Sequence, residues 1–311
     1  MEIADAKSED VPSKLQPLIA TFQSSPFQVA PEREAEMLHL RDKYGIRIQL
    51  KADARDWLFE EFRIFELNRI FLGLRSIERL WAYCYAYTTI TTELQKAAGS
   101  YDSIENDAEY QLAFRLLDWA SQEKLADREG EWPDILPNPS HVDGLEHVEA
   151  ANYFFLMTSG RLLLHEFAHT VLGHNTAHGT PSEVLIREEF EADAWADSWM
   201  LARWRDYKTD EKVFVGHCMG VAFAHAPSLI FGIERKEASQ SHPGPIQRIV
   251  SFIDRHLPGG NPTDKRLVDL PCAFLLVVTG HLLFIKQKPF DWHPLPPTYS
   301  ELFARFEPYF H

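Results

Sequence analysis

Two histidines and a glutamate stand in the pattern His165-Glu166-Phe167-Ala168-His169. On an α-helix, residues four apart are separated by about 40° of rotation and roughly 6 Å of rise, so the rings of His165 and His169 can converge on one metal ion. Glu166 then points about 100° around the helix from His165, where its carboxylate can take a proton from water. The spacing therefore predicts a metal site for hydrolysis, with Glu166 as general base.

A third metal ligand is predicted on the next helix. Catalytic zinc takes three protein ligands and keeps one position open for water, so one ligand must come from a different element. Thr180-Pro181-Ser182-Glu183 combines a capping residue, an early proline and a glutamate, which predicts a helix start. On that helix Glu189 opens the pattern ExxAD, twenty positions after His169, a separation that resembles thermolysin-like enzymes. We predict Glu189 as the third ligand, with Glu188 and Glu191 as alternatives.

Two further residues are predicted to assist these ligands. Asp193 lies one turn beyond Glu189, where its carboxylate can accept a hydrogen bond from the far ring nitrogen of a ligand histidine and orient it. His242 opens a new segment, and Arg248 follows at a spacing that can bring it to the same cleft. We predict His242 as a donor that stabilises the tetrahedral oxyanion. Other histidines are predicted to pack in the fold: His174, His178, His217, His225 and His281.

The elements that must carry these residues are helices. Apolar residues at helical spacing predict four of them, near residues 146–172, 182–206, 213–233 and 268–286. The first two carry the metal ligands, and Gly173 is suited to the left-handed conformation that ends the first. The predicted class is α+β and predominantly α-helical, with a zincin-like core in which the HExxH helix packs on the ExxAD helix.

The N-terminal half is predicted to add helices and a small sheet. Ser25-Pro26-Phe27 predicts a turn, after which a helix runs from Arg33 to Lys43. A long helix is expected over Ser76–Ala98, whose aromatic stripe is typical of core packing. Three short segments between these helices predict an antiparallel meander: Ile46–Leu50, Trp57–Phe65 and Ile70–Leu74.

A boundary between two lobes is predicted between Gln122 and Asp143. Acidic residues and prolines accumulate there, and the apolar residues show no regular spacing. We predict an N-terminal lobe over residues 1–140 and a helical zinc-peptidase lobe over residues 141–311. The two lobes are expected to form one integrated domain, because no stretch has the composition of a flexible linker.

Charge limits the class of partner. The chain has 311 residues, of which 45% are hydrophobic, and a formal net charge of −15. This surplus of carboxylates argues against nucleic acid and anionic membrane as partners, because both reward clustered Lys and Arg. A protein or peptide substrate is compatible with it.

Cysteine use and the start of the chain predict a cytoplasmic protein. The chain has three cysteines, Cys84, Cys218 and Cys272, which lie far apart in sequence. An odd number cannot all pair in disulfides within the chain, so buried free thiols in a reducing compartment are predicted. The first residues lack the basic start and apolar stretch of a secretory signal. The longest apolar run, Cys272–Ile285, has 14 residues, whereas a membrane-spanning helix needs roughly 20. No membrane span is predicted.

Patches along most of the chain resemble the Lit-type phage-exclusion peptidases, a family of HExxH-plus-glutamate zinc peptidases. The similar patches are Ser24–Phe27 with Ala30–Glu32, Ser76–Ala82, Leu116–Ala120, Trp132-Pro133, His165–His174, Arg187–Asp193 and His242-Pro243 with Arg248-Ile249. The resemblance implies a cytoplasmic zinc endopeptidase that cuts translation elongation factor Tu in its nucleotide-binding domain. It also implies that a phage coat-protein peptide triggers the cut, which stops translation in infected cells. The tail from Lys286 to His311 departs from the family pattern.

Three alternatives to this interpretation stay open. The first is a regulatory peptidase that cleaves a repressor, although such enzymes usually neighbour a helix-turn-helix module that is not evident here. The second is a membrane protease with the same HExxH, ExxAD and HPxxxxR patterns, which would need spanning helices. The third is a non-catalytic binding protein braced by zinc. Glu166→Gln separates this last alternative from a peptidase, since a scaffold would keep its activity.

Overall fold

The computed structural model describes residues 13–51, 69–96, 107–121, 136–140, 146–174, 180–206 and 243–256, together with residues 217, 218, 220–222, 224 and 225. Several predicted features lie outside these residues: the Trp57–Phe65 segment, the helix near 268–286, His178, His242, Cys272, His281 and the tail from Lys286. The chain divides into two compact units, Met1–Gly160 and Arg161–His311. The predicted lobe boundary after residue 140 stays a prediction.

Helix α1 runs from Gln16 to Gln28 and contains Pro26 in its last turn, so the turn predicted at Ser25-Pro26-Phe27 is wrong. Proline has no amide hydrogen, which deprives the carbonyl of Phe22 of its helical donor. The hydroxyl of Ser25 takes that place and donates to Phe22 O at 2.7 Å. The side chain of Phe22 is fully buried, and this burial helps to hold the helix across the proline.

A short 3-10 helix, Pro31–Arg33, leads into helix α2, Glu34–Tyr44. This confirms the helix predicted over Arg33–Lys43. Met37 is the buried residue of α2, so most of the helix faces solvent.

Strands β1, Arg47–Lys51, and β2, Arg69–Gly73, pair in parallel, with Ile48 opposite Ile70. The predicted antiparallel arrangement is therefore wrong for this pair. A parallel pair needs a connection of about a dozen residues or more, and residues 52–68 supply that length. Alternating apolar residues indicate a strand, but they carry no information on the direction of its neighbour.

The core of the first unit is built on helix α3, Leu74–Lys96, and helix α4, Ala108–Ser121. Arg79 Nε donates a buried hydrogen bond to Ala120 O at 2.6 Å and so joins the two helices. The aromatic side chains of α3 are buried: Trp81, Tyr83, Tyr85 and Tyr87. This confirms the predicted core packing of the aromatic stripe.

Helices α5, Glu146–Leu172, and α6, Ser182–Asp206, have the bounds that the apolar spacing predicts. A further helix, α7, spans Pro245–His256 and is not among the predicted ones. Its buried residues Ile249, Phe252 and Ile253 stand at spacings of three and four, which is helical periodicity.

The described residues are predominantly helical, as predicted. Within these ranges, no helix combines the length and apolar character that crossing a membrane requires. Cys84 and Cys218 are buried free thiols, and burial raises the pKa of Cys84 far above its usual value. The zincin-like core stays a prediction.

The N-terminus of α4 offers a direct test of local stability. Asp107 Oδ1 accepts hydrogen bonds from the amides of Glu109, at 2.9 Å, and Tyr110, at 3.0 Å. Asp107→Ala removes this acceptor and should lower the free energy of unfolding by about 1 kcal/mol. Asp107→Asn keeps an acceptor at the cap and should leave stability nearly unchanged in urea unfolding. Equal losses for both variants would contradict the capping role.

Candidate active site

The site forms between the C-terminal part of α5 and the N-terminal part of α6, and its residues all lie in the second unit. The residues of α5 around the first histidine are apolar and buried: Leu162, Leu163, Leu164, Phe167 and Ala168. Their burial withdraws His165 from solvent as well. Because buried polar groups need hydrogen-bond partners, both ring nitrogens of His165 must be satisfied from within the protein.

Three side chains place one ligand atom each around a common point: His165, His169 and Glu189. The two Nε2 atoms lie 3.1 Å apart. The Glu189 oxygens lie 3.3 Å from His165 Nε2 and 3.4 Å from His169 Nε2. In tetrahedral coordination with bonds of about 2.0–2.1 Å, ligand atoms are spaced roughly 3.3–3.4 Å apart. The three side chains therefore fit a metal ion, and the group could bind one.

Asp193 anchors His165, because its Oδ1 lies 3.0 Å from the far ring nitrogen, Nδ1. Arg248 donates two hydrogen bonds to the same carboxylate, from Nε to Oδ2 at 2.7 Å and from Nη2 to Oδ1 at 2.6 Å. Burial alone would raise the pKa of Asp193, but the charges of Arg248 and Arg161 outweigh it and hold the pKa well below its usual range. The ionised carboxylate thus orients the ring of His165.

Arg161 ties Asp193 to a second buried carboxylate. Its side chain is 0% exposed and donates from Nη2 to Asp193 Oδ1 at 2.7 Å and from Nε to Asp197 Oδ1 at 3.0 Å. His225 Nε2 lies 3.1 Å from the same Asp197 oxygen, and burial lowers the pKa of this histidine. One buried guanidinium therefore spans two turns of α6 and fixes them against α5.

Glu166 lies beside the ligand group, and the residue as a whole is partly exposed. Burial raises the pKa of Glu166 to about 8, although the charges of His165 and Arg248 oppose that shift. A carboxyl group with a pKa in this range, beside the ligand group, can exchange a proton with a water molecule.

The two histidines of the ligand group differ in proton affinity. Burial would lower the pKa of His165, but hydrogen bonds and charges from Asp193 and Glu189 outweigh it and raise the pKa to about 9. At His169 burial prevails, and the pKa is lowered. The carboxylates around His165 therefore favour a positive charge at that point, whether a proton or a metal ion carries it.

The structure brings together four residues predicted for the site, His165, His169, Glu189 and Asp193, and places Glu166 beside them. The alternative ligands are not in the converging group of the described residues. The carboxylate of Glu191 lies 3.2 Å from His174 Nε2 instead. His242, predicted as an oxyanion donor, lies outside the described residues, whereas Arg248 of the same segment reaches the site.

Sequence reasoning missed four residues around the ligands: Arg161, Asp197, His174 and His225. Arg161 stands four residues before His165 and directly before three leucines, and a charge at such a position needs a buried partner. Asp197 stands four residues after Asp193, so both carboxylates share one face of α6. His174 and His225 are predicted only to pack, yet each has a ring nitrogen within 3.2 Å of a carboxylate oxygen.

Both helices that carry this site lie in a stretch whose sequence matches a known family of peptidases. The profile of the Peptidase U49 family matches residues 70–262, and the chain belongs to that family. The "Cell death peptidase" of Escherichia coli (strain K12) is similar, with 27% identity over 275 residues, which cover 85% of this chain and 88% of the relative. No solved structure matches the chain significantly.

The buried bridge made by Arg161 should dominate the stability of the site. Arg161→Met leaves the carboxylates of Asp193 and Asp197 without this donor, and we expect it to lower the free energy of unfolding by about 3–5 kcal/mol. The matched control is Arg33→Met, which breaks an exposed ion pair with Glu36 and should cost about 1 kcal/mol or less. Chemical denaturation measures both, and similar losses would refute the buried bridge.

Proposed function

We propose that the chain is a zinc-dependent endopeptidase in which His165, His169 and Glu189 bind the metal and Glu166 is the general base. The observation that carries this proposal is the convergence of His165, His169 and Glu189 beside the carboxylate of Glu166: the two Nε2 atoms lie 3.1 Å apart, Glu189 Oε2 lies 3.3 Å from His165 Nε2, and Glu189 Oε1 lies 3.4 Å from His169 Nε2. Two imidazoles and one carboxylate suit zinc and leave a coordination position open. A bound zinc ion would acidify water and polarise the scissile carbonyl.

Glu166 is the residue that moves the proton. It directly follows His165 on α5, so its side chain leaves the helix about 100° away from the ligand. Its carboxylate takes a proton from the attacking water and returns it to the amide nitrogen as the peptide bond breaks. This sequence needs no covalent intermediate with the protein.

Asp193 and Arg248 position the ligands. Asp193 keeps the proton of His165 on Nδ1, so that Nε2 presents its lone pair. Arg248 grips Asp193 and also places Nη1 4.0 Å from Glu189 Oε2, which favours the ionised form of both carboxylates. His242 is proposed as the donor that stabilises the oxyanion of the tetrahedral intermediate.

The proton-transfer role is tested by Glu166→Gln. The amide cannot accept the proton, so kcat for peptide hydrolysis should fall by about 10²–10⁴-fold while the zinc content of the chain stays unchanged. Glu188→Gln is the matched control, since it makes the same change of charge next to Glu189 and should keep both properties. Peptide release followed by mass spectrometry gives kcat, and elemental analysis gives the zinc content.

The same measurements of kcat and zinc content test whether Glu189, and not a neighbouring glutamate, is the third metal ligand. Glu189→Gln should lose the bound zinc together with activity, whereas Glu188→Gln should retain the metal. Loss of zinc in Glu188→Gln alone would reassign the third ligand. If Glu166→Gln acts on host cells as strongly as the wild-type chain does, the alternative of a non-catalytic binding protein braced by zinc is favoured instead.

A host protein is the proposed substrate, and translation elongation factor Tu is the first candidate. Three observations support this proposal: membership of the Peptidase U49 family, similarity to the "Cell death peptidase" of Escherichia coli, and the sequence patches that resemble Lit-type phage-exclusion peptidases. Cleavage of an essential translation factor in the cytoplasm would stop phage production by stopping the infected cell. A phage coat-protein peptide is the proposed trigger.

The substrate is tested with purified proteins. The zinc-loaded chain is mixed with elongation factor Tu, with and without a phage coat-protein peptide, and the fragments are identified by mass spectrometry. We expect a single cut in the nucleotide-binding domain that depends on the peptide and disappears in Glu166→Gln. Intact elongation factor Tu, together with cleavage of a different lysate protein, would favour the alternative of a regulatory peptidase that acts on a repressor or another cytoplasmic protein.

A further inference from the structure

His174 lies two residues after Leu172, the last residue of α5. Gly173 adopts the left-handed conformation, with φ 68°, and the amide of His174 donates to His169 O at 2.9 Å. This closure turns the chain back over the last turn of the helix. As a result, the ring of His174 lies against the ring of His169, with centroids 5.0 Å apart and an interplanar angle of 72°.

The two rings are joined through their nitrogens as well. His174 Nδ1 lies 2.9 Å from His169 Nδ1, and His174 Nε2 lies 3.2 Å from Glu191 Oε2. The side chain of His174 is only 5% exposed, whereas that of Glu191 is 52% exposed. A chain of hydrogen bonds therefore runs from the ligand group through two imidazoles to a carboxylate at the surface.

A single arrangement of protons satisfies this chain when His169 is a metal ligand. The ligand atom is Nε2, so the proton of His169 must be on Nδ1 and must point at His174 Nδ1. His174 Nδ1 then accepts, its own proton is on Nε2, and that proton is donated to Glu191. Each donor meets an acceptor, and the negative end of the chain lies farthest from the metal site.

We propose that His174 is a positioning residue that fixes the tautomer and the orientation of His169 through a relay ending at Glu191. The proposal rests on the metal site of the proposed function and extends it to a residue outside the HExxH and ExxAD patterns. Partners of this kind orient ligand histidines and raise their basicity. His174 does for His169 what Asp193 does for His165.

The carboxylates behind the two histidines, Asp193 behind His165 and Glu191 behind the His174 relay, differ in exposure. This difference sets the expected order of the effects of substitutions on metal binding. Asp193 is 3% exposed and held by two arginines. Glu191 is half exposed, and its partner Arg187 lies 3.6 Å away and is also exposed. Solvent screens the outer end of the His174 relay. Removing His174 should therefore matter more than removing the charge of Glu191.

The test measures metal binding by the full chain rather than activity alone. The variants are His174→Phe, which keeps the aromatic packing and loses both hydrogen bonds, and His174→Asn, whose amide can replace the acceptor at Nδ1. Glu191→Gln probes the outer end of the relay. His217→Phe is the matched control, because His217 stacks on Trp204 with centroids 3.3 Å apart and does not belong to the ligand group.

Zinc dissociation constants come from competition with a chelator, and visible absorption of the cobalt-loaded chain reports the ligand geometry. We expect His174→Phe to weaken zinc binding by about 10–100-fold and to shift the cobalt spectrum. His174→Asn should recover part of the affinity, Glu191→Gln should show a smaller loss than His174→Phe, and His217→Phe should match the wild type. Melting of the metal-free variants checks that each one is folded.

The outcomes separate this inference from the proposed function. If the wild-type chain binds no zinc, the proposed function fails and the relay with it. If the wild type binds zinc and His174→Phe binds it equally well with an unchanged cobalt spectrum, only the relay is overturned. Equal weakening by Phe and Asn would also overturn it, because the hydrogen bond would then be irrelevant. Should His174→Phe fail to fold, the zinc affinities of His174→Asn and Glu191→Gln decide. Affinities below that of the wild type support the relay, and wild-type affinity in both variants would overturn it.

Discussion

The site depends on the contacts that the buried carboxylate of Asp193 makes. This carboxylate lies within hydrogen-bond distance of His165, Arg161 and Arg248, and its burial leaves little room for water to screen these contacts. Arg161 and Arg248 pair with Asp193, and Arg255 Nη1 lies 3.8 Å from Asp197 Oδ2, whereas Glu189 has its nearest guanidinium nitrogen at 4.0 Å. Hydrogen bonds and charges from Asp193 and Glu189 outweigh burial and raise the pKa of His165 to about 9. The same two carboxylates would stabilise a cation among the ligand atoms.

The helices that carry the ligands could be predicted from the sequence, whereas the arrangement of the N-terminal half could not. Helices α5 and α6 have apolar residues at helical spacing, Gly173 marks the end of α5, and Thr180-Pro181-Ser182-Glu183 marks the start of α6. Local signals of this kind determine helix bounds. The direction of β2 relative to β1 depends on the connection and on packing, which no local pattern encodes. Pro26 misleads for a different reason. Its missing hydrogen bond is replaced by the hydroxyl of Ser25, a compensation that the proline rule does not anticipate.

The candidate site shows the same division between local and tertiary information. The spacing of His165, His169 and Glu189 follows from helix geometry, so their convergence is predictable once the helices are placed. The buried partner Arg161 is not, because an arginine in an apolar stretch is stable only when carboxylates from another helix meet it. His174 is hidden by its position after a helix end. The sequence suits Gly173 to the left-handed conformation, but it does not show that the turn brings this ring against the ring of His169.

Exposure is graded across the site, and the gradient indicates from which side a peptide can approach. On one side, Arg161 and Asp193 are buried and paired, so that side is closed by the protein itself. On the other side, His169 is more exposed than His165, Glu166 is partly exposed, and the relay through His174 ends in solvent. A general base must reach water and substrate, and an anchor must not. His165 is held by buried groups and His169 is linked to the surface, and this difference matches the tasks of the two sides of the proposed hydrolytic site.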